Sequence, residues 1–438
     1  MTPPRISVLT PAHNAAGTLA EAIESVLAQA REDWELVIVD DGSTDGTAEV
    51  AAGFADARIR LFRQPRQGVS AARNRAFTES RGELLAFLDA DDRFAPNKLA
   101  VQAATLDRRP EAGSVYCAHR RVDLAGDPWT MAAPPEEVDY RDLLLGFPFN
   151  PSAQMIRREW HERSGGFRPG LEIHEDRDYW LRCHEAGCRF VRAPGVLADY
   201  RLGPPRRLAD PAAKAEQALG VLRRGLDTAS GHRMAPADTE KAFCEIYREW
   251  AFQSALSGRA DQAAVYFEEL RRRTQGLTDD PAARDDFLQA VVDLGVRTRG
   301  EHEPILRAIF AALPDSLATL RDFEGWAIGC GAVQQGAREL LWGRSAPARE
   351  RFAYAASLGA GLDERTARLL RHQLRQFADA VSEEALDDVL HDLLPELTAL
   401  ASPRAAADFR RSLRPSGATG FARGALARLT GWARRGRP

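Results

Sequence analysis

No apolar run in this 438-residue sequence approaches the ~18 residues that a membrane span requires, so no transmembrane helix is expected. The first residues, MTPPRISVLTP, lack the basic stretch, apolar core and small-residue cleavage site of a secretory signal. Cysteine is scarce. The five present, Cys117, Cys183, Cys188, Cys244 and Cys330, are odd in number, widely spread and without a CxxC pair. That excludes a disulfide framework or a zinc ribbon and fits a reducing, cytoplasmic compartment. Cys183, His184 and Cys188 lie close together, but three soft ligands with no fourth nearby read as core packing. No GxGxxG follows the first apolar run, which argues against a dinucleotide-binding dehydrogenase. The formal net charge of -4 singles out no acidic or basic partner, and no nucleic acid is expected to bind.

What is present is an ordinary globular composition, 44% hydrophobic and 28% charged, in a chain too long for one core to serve. Ile6-Ser7-Val8-Leu9 and Leu36-Val37-Ile38-Val39 have no polar face and predict buried parallel strands. Between them Ala22, Ile23, Val26 and Leu27 share one face of a helix predicted over 18–29. A strand at 59–62, a helix at 70–78 and a strand at 84–88 continue the alternation. The prediction is a doubly wound α/β sheet over residues 1–205. After Gly203-Pro204-Pro205-Arg206-Arg207 the strand signals fade, which predicts an all-α domain over 206–403. Within it Gly258, Ala263 and Phe267 match Gly343, Ala348 and Phe352 at equal offsets, as in tetratricopeptide-like helix-turn-helix repeats. The copies stand 85 residues apart, not a multiple of the ~34-residue period of such repeats. A helical bundle and an irregular repeat array both remain open.

Residues 404–438 form a basic tail with nine Arg and one Asp, a net of +8 that leaves -12 on the rest. On a helix over 421–432, Phe421, Ala425, Leu429 and Trp432 would share one side and suit peripheral docking on the inner, anionic face of a membrane. Gly417, Gly420, Gly424 and Gly431 favour a solvated, disordered tail instead.

In open α/β sheets ligands bind beyond the carboxyl ends of the strands, and there the acidic residues collect. Asp89-Ala90-Asp91, followed by Asp92, ends one strand. Its spacing lets two carboxylates approach one hard divalent cation, Mn²⁺ or Mg²⁺, with room for phosphate oxygens. Asp40-Asp41-Gly42-Ser43-Thr44-Asp45-Gly46 ends another. A calcium-binding hand would follow a helix and close with Glu at its twelfth position, whereas this segment follows a strand and has Ala52 there. It reads as a turn whose carboxylates accept from a base or ribose, with Ser43 or Thr44 capping the next helix. Gln67-Gly68-Val69-Ser70-Ala71-Ala72-Arg73-Asn74-Arg75 opens a helix whose Arg residues can meet phosphate. His174-Glu175-Asp176-Arg177-Asp178-Tyr179-Trp180 starts another helix, where a carboxylate is held ionised and can serve as a base.

Taken in order, ISVLTPAHN, VDDGSTDGT, QGVSAARNRA, FLDADD and GGF followed by HEDRDYWLR resemble glycosyltransferase family 2, inverting enzymes with the GT-A fold. The resemblance covers roughly residues 1–202. It implies that Pro11, Asn14, Asp41, Arg73 and Asp89 bind the donor, with Arg73 facing the nucleotide. Asp89 and Asp91 would hold the metal, and Asp176 would be the general base. His174, Glu175 and Trp180 would lie on the acceptor side. His13 stands where relatives commonly carry Tyr, which weakens stacking on the nucleobase. No Gln-x-x-Arg-Trp occurs, and that favours single addition over processive synthesis.

The expected function is therefore a metal-dependent, hexosyltransferase-like transfer from a nucleoside-diphosphate sugar, a UDP-sugar being favoured. The acceptor would be a glycan, a lipid-linked species or a protein, in surface-glycan or glycoconjugate synthesis. The alternative is a scaffold that binds a nucleotide-sugar with little turnover while its helical half binds a partner protein.

Overall fold

The structure is a computed structural model that describes residues 3–146, 149–203, 207–227, 234–380, 383–400 and 408–409. The basic tail of 404–438 lies outside the described residues apart from Asp408 and Phe409. By packing, the chain forms two compact units. One comprises Met1–Arg121, Ala132–Arg201 and Ala213–Ile246, and the other Val122–Met131, Leu202–Ala212 and Tyr247–Pro438.

The first unit begins with β1 (Ile6–Ala12), α1 (Leu19–Leu27), β2 (Trp34–Asp41), α2 (Thr47–Ala52), β3 (Ile59–Gln64), α3 (Val69–Glu79) and β4 (Leu84–Phe87). All four strands are parallel, with Leu9 of β1 opposite Val37 of β2 and Phe87 of β4. Every residue of β1, β2 and β4 is buried, which is why those runs show no polar alternation. Next come β5 (Arg93–Phe94), α4 (Lys98–Arg108), β6 (Ser114–Val122), β7 (Pro128–Ala132), β8 (Glu137–Val138), α5 (Tyr140–Leu145), β9 (Gln154–Arg157), α6 (Arg158–Ser164), α7 (Glu175–Glu185) and β10 (Phe190–Arg201). The sheet has ten strands and its main path runs β3-β2-β1-β4-β9-β6-β10-β5. The parallel winding stops at β4. A further parallel neighbour would need a crossover returning the chain to the same end, and β9 instead pairs antiparallel with both β4 and β6. The result is the mixed α/β sheet typical of the GT-A fold, and a helical region follows it. The parallel half brings the loops after β1, β2 and β4 to one end of the sheet.

Helix α8 (Pro211–Leu226) also belongs to this unit from Ala213 onward. Gln217 of α8 accepts from the Glu172 amide at 2.9 Å, and Tyr140 donates to the Gly225 carbonyl at 2.7 Å.

The second unit contains the end of α9 (Pro236–Leu256), then α10 (Ala260–Arg273), α11 (Pro281–Gly295), α12 (Glu303–Ala311), α13 (Glu324–Leu341), α14 (Ser345–Ser357), α15 (Glu364–Ala380) and α16 (Glu383–Leu400). Helix α13 is buried on every side from Ala327 to Leu341. Neighbours approach it closely because Gly331 faces the His302 ring and Gly336 faces the Phe352 ring. The matched sequence positions have matched geometry. Gly258 (φ 72°) and Gly343 (φ 70°) both end a helix in the left-handed region. Each is followed by an amide donating five residues back, Arg259 to the Ser254 carbonyl and Arg344 to the Glu339 carbonyl. Ala263, Phe267, Ala348 and Phe352 are buried behind these turns. Among the described residues, no helix is long and apolar enough to cross a membrane.

Candidate active site

Three loops at the carboxyl end of the parallel strands are tied together by their own polar groups. After β1 the chain turns through Asn14, which adopts a left-handed conformation (φ 49°). Its amide donates to Ser43 Oγ at 3.0 Å, and its side-chain Oδ1 accepts from the Thr44 amide at 2.8 Å. The Ala15 amide donates to Thr47 Oγ1 at 2.8 Å and the Ala16 amide to Asp45 at 3.1 Å. Ser43 and Thr44 therefore clasp the first loop rather than cap α2, whose Thr47 amide is taken by Asp45. Pro11 is buried in the last residues of β1. His13 contacts the Asp41 carbonyl through Nδ1 at 3.0 Å.

Asp41 ends β2 and is 3% exposed. It accepts from Gln64 Nε2 at 2.7 Å and from the Gln67 and Gly68 amides at 2.9 and 2.8 Å. Its carboxylate thus fixes the entry to α3, Oδ1 accepting twice and Oδ2 once. Gly42 permits that approach: its φ of +71° suits glycine, and a Cβ there would lie 2.7 Å from the Arg66 nitrogen.

Helix α3 turns two consecutive polar residues toward the rest of the site. Arg73 donates to Asp89 at 2.7 Å and to Glu175 at 2.8 Å, with its side chain 3% exposed. Burial works against its charge, but Asp89 and Glu175 outweigh that and hold the guanidinium above its usual value. Both terminal nitrogens of Arg73, expected to face the nucleotide, meet carboxylates in this structure. Asn74 donates to the Phe167 carbonyl at 2.7 Å and accepts from the Phe167 amide at 2.8 Å. That pair fixes the Gly165-Gly166-Phe167 segment leading toward α7.

Asp89 and Asp91 stand on the turn after β4. Asp89 is half-buried, Asp91 exposed and Asp92 buried. Burial, and after it the charges of Asp91 and Asp89, push the Asp92 carboxyl well above its usual range. Among the described residues, no three His, Cys, Asp or Glu side chains gather to hold a metal by themselves. Two carboxylates on a turn crowded with negative charge fit a hard cation whose remaining ligands come from a diphosphate.

The acceptor-side residues divide. His174 caps α7 in a left-handed conformation (φ 54°). It and Asn14 are the positive-φ non-glycine residues among the described ones, and both flank the site. Glu175 meets Arg73, while the Asp176 carboxylate accepts from the Arg177 amide at 2.9 Å. Placement at a helix N-terminus does not hold Asp176 at an ordinary value: burial first, and then Glu175, push its carboxyl well up, against the opposing pull of Arg73. Trp180 does not reach the site. It is 1% exposed and packs edge-on against Phe87 (5.7 Å) and Phe149 (6.0 Å), in the core under β4. Asp178 is likewise structural, paired with Arg168 at 2.7 Å and Arg182 at 2.9 Å.

Sequence reasoning gave no role to Asn74, Phe167, Ser152 or Arg201. The first two sit inside quoted motifs. Ser152 and Arg201 reach the Asp92 carboxylate from 60 and 109 residues away, with no local signal.

The profile of the family described as glycosyl transferase family 2 matches residues 7–165. TuaG of Bacillus subtilis (strain 168), named for teichuronic acid biosynthesis, is 32% identical over 204 residues, 45% of this chain and 79% of that protein. EpsE of the same organism, named as a glycosyltransferase, is 30% identical over 207 residues, 45% of this chain and 73% of its own length. Among solved structures, S. aureus TarS aligns with a TM-score of 0.45 at 17% identity, over 73% of this chain and 55% of that one.

Proposed function

The chain belongs to glycosyltransferase family 2, and from that premise we propose that it moves one sugar from a nucleoside-diphosphate donor to an acceptor hydroxyl, with inversion. The observation that supports this best is the buried Arg73 fork. It ties Asp89, at the end of the donor-side strand, to Glu175, the neighbour of Asp176. One cation thus draws the diphosphate end and the acceptor end of the reaction into a single constellation.

In this reading Asp176 takes the proton of the acceptor hydroxyl as its oxygen attacks the anomeric carbon. The bond from that carbon to the diphosphate breaks, and the departing nucleoside diphosphate keeps the electron pair. Raising the Asp176 carboxyl brings its basicity closer to that of the group it deprotonates, which favours proton transfer. Asp89 and Asp91 would hold Mn²⁺ or Mg²⁺, which supplies charge stabilisation to the leaving diphosphate. Arg73 positions Asp89 and Glu175 rather than touching the phosphates. Pro11, Asn14 and Asp41 shape the donor wall, and His174 and Glu175 border the acceptor. Orientation and fixed charge then provide most of the rate.

The name of TuaG, which refers to teichuronic acid biosynthesis, supports synthesis of a cell-wall or surface polysaccharide. The absence of Gln-x-x-Arg-Trp supports single addition. UDP-sugars are the first donors to try. A panel of UDP-, GDP- and dTDP-sugars incubated with the full chain, with Mn²⁺ or with chelator, tests the proposal. Release of one nucleotide that chelator suppresses is the expected result. Binding of a nucleotide-sugar without release under any condition would favour the scaffold reading instead.

A further inference from the structure

The turn that carries the two exposed and half-exposed carboxylates is itself locked from inside. Asp92 closes it by donating its amide to the Asp89 carbonyl at 3.0 Å. The Asp92 side chain points inward and is 1% exposed. Ser152, on the 3-10 turn Pro151–Ala153, donates its hydroxyl to one Asp92 carboxylate oxygen and accepts from the Asp89 amide at 3.0 Å. A hydroxyl can donate once while accepting, and here one hydroxyl grips both ends of the turn. Arg201, the last residue of β10, donates its amide to the other Asp92 oxygen at 2.8 Å. Its Nε donates to the Asp91 carbonyl at 2.8 Å, and its terminal nitrogen pairs with Glu21 of α1 at 2.7 Å.

These bonds engage the main-chain groups that orient Asp89 and Asp91, while the Asp89 carboxylate itself meets Arg73 at 2.7 Å and Asp91 is exposed. Ser152 is itself fully buried, so its hydroxyl has no solvent alternative. The arrangement buries a third carboxylate beside two others, with one of its oxygens taken by Ser152 and the other by Arg201. A fold that needed only a turn there would be easier to build with a neutral residue at 92. Holding the carbonyls and amides of a metal-binding turn in place is what such an arrangement supplies.

We infer that Ser152 and Arg201 are positioning residues which, through Asp92, fix the Asp89-Ala90-Asp91 turn in the geometry that receives a divalent cation together with a nucleoside diphosphate. The inference rests on the metal role proposed above. Arg201 lies beyond the stretch matched by the family profile, and Ser152 lies within it.

The test measures Mn²⁺ retention by electron paramagnetic resonance on the full chain, with UDP and with GDP, and nucleotide binding by calorimetry in chelator. Ser152→Ala is expected to weaken Mn²⁺ retention about tenfold, in the range seen when outer partners of metal ligands are removed. Metal-free nucleotide binding should stay within about twofold. Arg201→Gln keeps the backbone bond to Asp92, loses the one to the Asp91 carbonyl, and should weaken retention about threefold; it carries the test alone where Ser152→Ala does not fold. Parent protein that retains no Mn²⁺ with either nucleotide removes the metal reading itself. Parent that retains it while the variants match it overturns the positioning role. A parallel loss of metal-free nucleotide binding overturns it too, because Ser152 would then be merely structural.

Discussion

Around the sheet ends of the first unit, Asp41, Arg73, Asn74 and Asp92 hold their polar groups to named partners, several of them far away in sequence. Along α13 of the second unit, the tightest places are taken by Gly329, Gly331 and Gly336, which have no side chain to satisfy. Polar side chains do occur in the second unit. Glu339 is buried against Arg299 at 3.2 Å, and Trp129 donates to the Val296 carbonyl at 2.9 Å. Those contacts join elements within the unit, where Arg299 also meets Asp123 and Asp127 at 3.3 and 3.4 Å and so neutralises the carboxylates around it. The difference is one of purpose. Hydrogen bonds specify direction, so they suit loops that must aim carboxylates; small residues specify distance, so they suit helices that must only approach.

The strongest test of that contrast lies at the aimed end. Asp176→Asn is expected to lower transfer about 10³-fold, the usual worth of a general base, while calorimetry finds donor affinity within twofold. Lost donor affinity would remove Asp176 from the base role. The pH profile gives a second reading of the same residue. Its carboxyl is pushed up by burial and by Glu175, so the base form is lost on the acid side well above the pH of about 4 where an exposed Asp titrates. Below its pKa, transfer should fall tenfold per pH unit; a rate flat down to pH 4 would contradict the assignment. The stability sign follows from the same shift. With the folded pKa above the unfolded one, ionising Asp176 costs stability as pH rises between the two. Asp176→Asn should therefore melt higher than the parent at neutral pH.

Strands β1, β2 and β4 were legible because a strand buried on both faces leaves an unbroken apolar run. The acidic residues at their ends were legible because strand direction alone places them. Side-chain commitments were not. Trp180 stands one helical turn beyond Asp176 and shares its general face, yet a large ring close to a core finds more area among Phe87, Phe149 and Phe190 than at an open cleft. Arg73 looked like a phosphate ligand because its spacing is right. Only the fold reveals that two carboxylates arrive first. In the helical half, the Gly258 and Gly343 turns were visible as a pattern, since a left-handed helix end favours glycine. That Val122–Met131 packs with the helices, and Ala213–Ile246 with the sheet, had no signal, because composition marks where helices begin and not which core they join.

Arg73→Met gives the next largest effect and tests whether the first unit's polar contacts are needed to hold it. Removing the cation leaves Asp89 and Glu175 facing each other in a partly closed site, at a cost of about 3 kcal/mol. A shift of the denaturant midpoint with transfer largely lost is expected. A variant that keeps full stability would show that solvent already screens the pair and that Arg73 is not the tie between the two sides.

The smallest effects separate closeness from propensity within one helix. Gly336→Ala on α13 would place a Cβ 2.8 to 3.0 Å from the ring of Phe352, which is buried in α14. Alanine gains about 1 kcal/mol over glycine in a helix interior, but overpacking of a filled core costs about 1 to 3 kcal/mol, so a net loss is expected. Gly325 lies on the same helix with nothing within 4 Å of its would-be Cβ. Gly325→Ala should be stabilising by up to about 1 kcal/mol, an end position gaining less than an interior one. Opposite signs in thermal melts of the two variants would confirm that Gly336 is there for approach. Equal signs would mean that α14 moves aside at little cost, and the second unit would then be a looser assembly than its buried central helix implies.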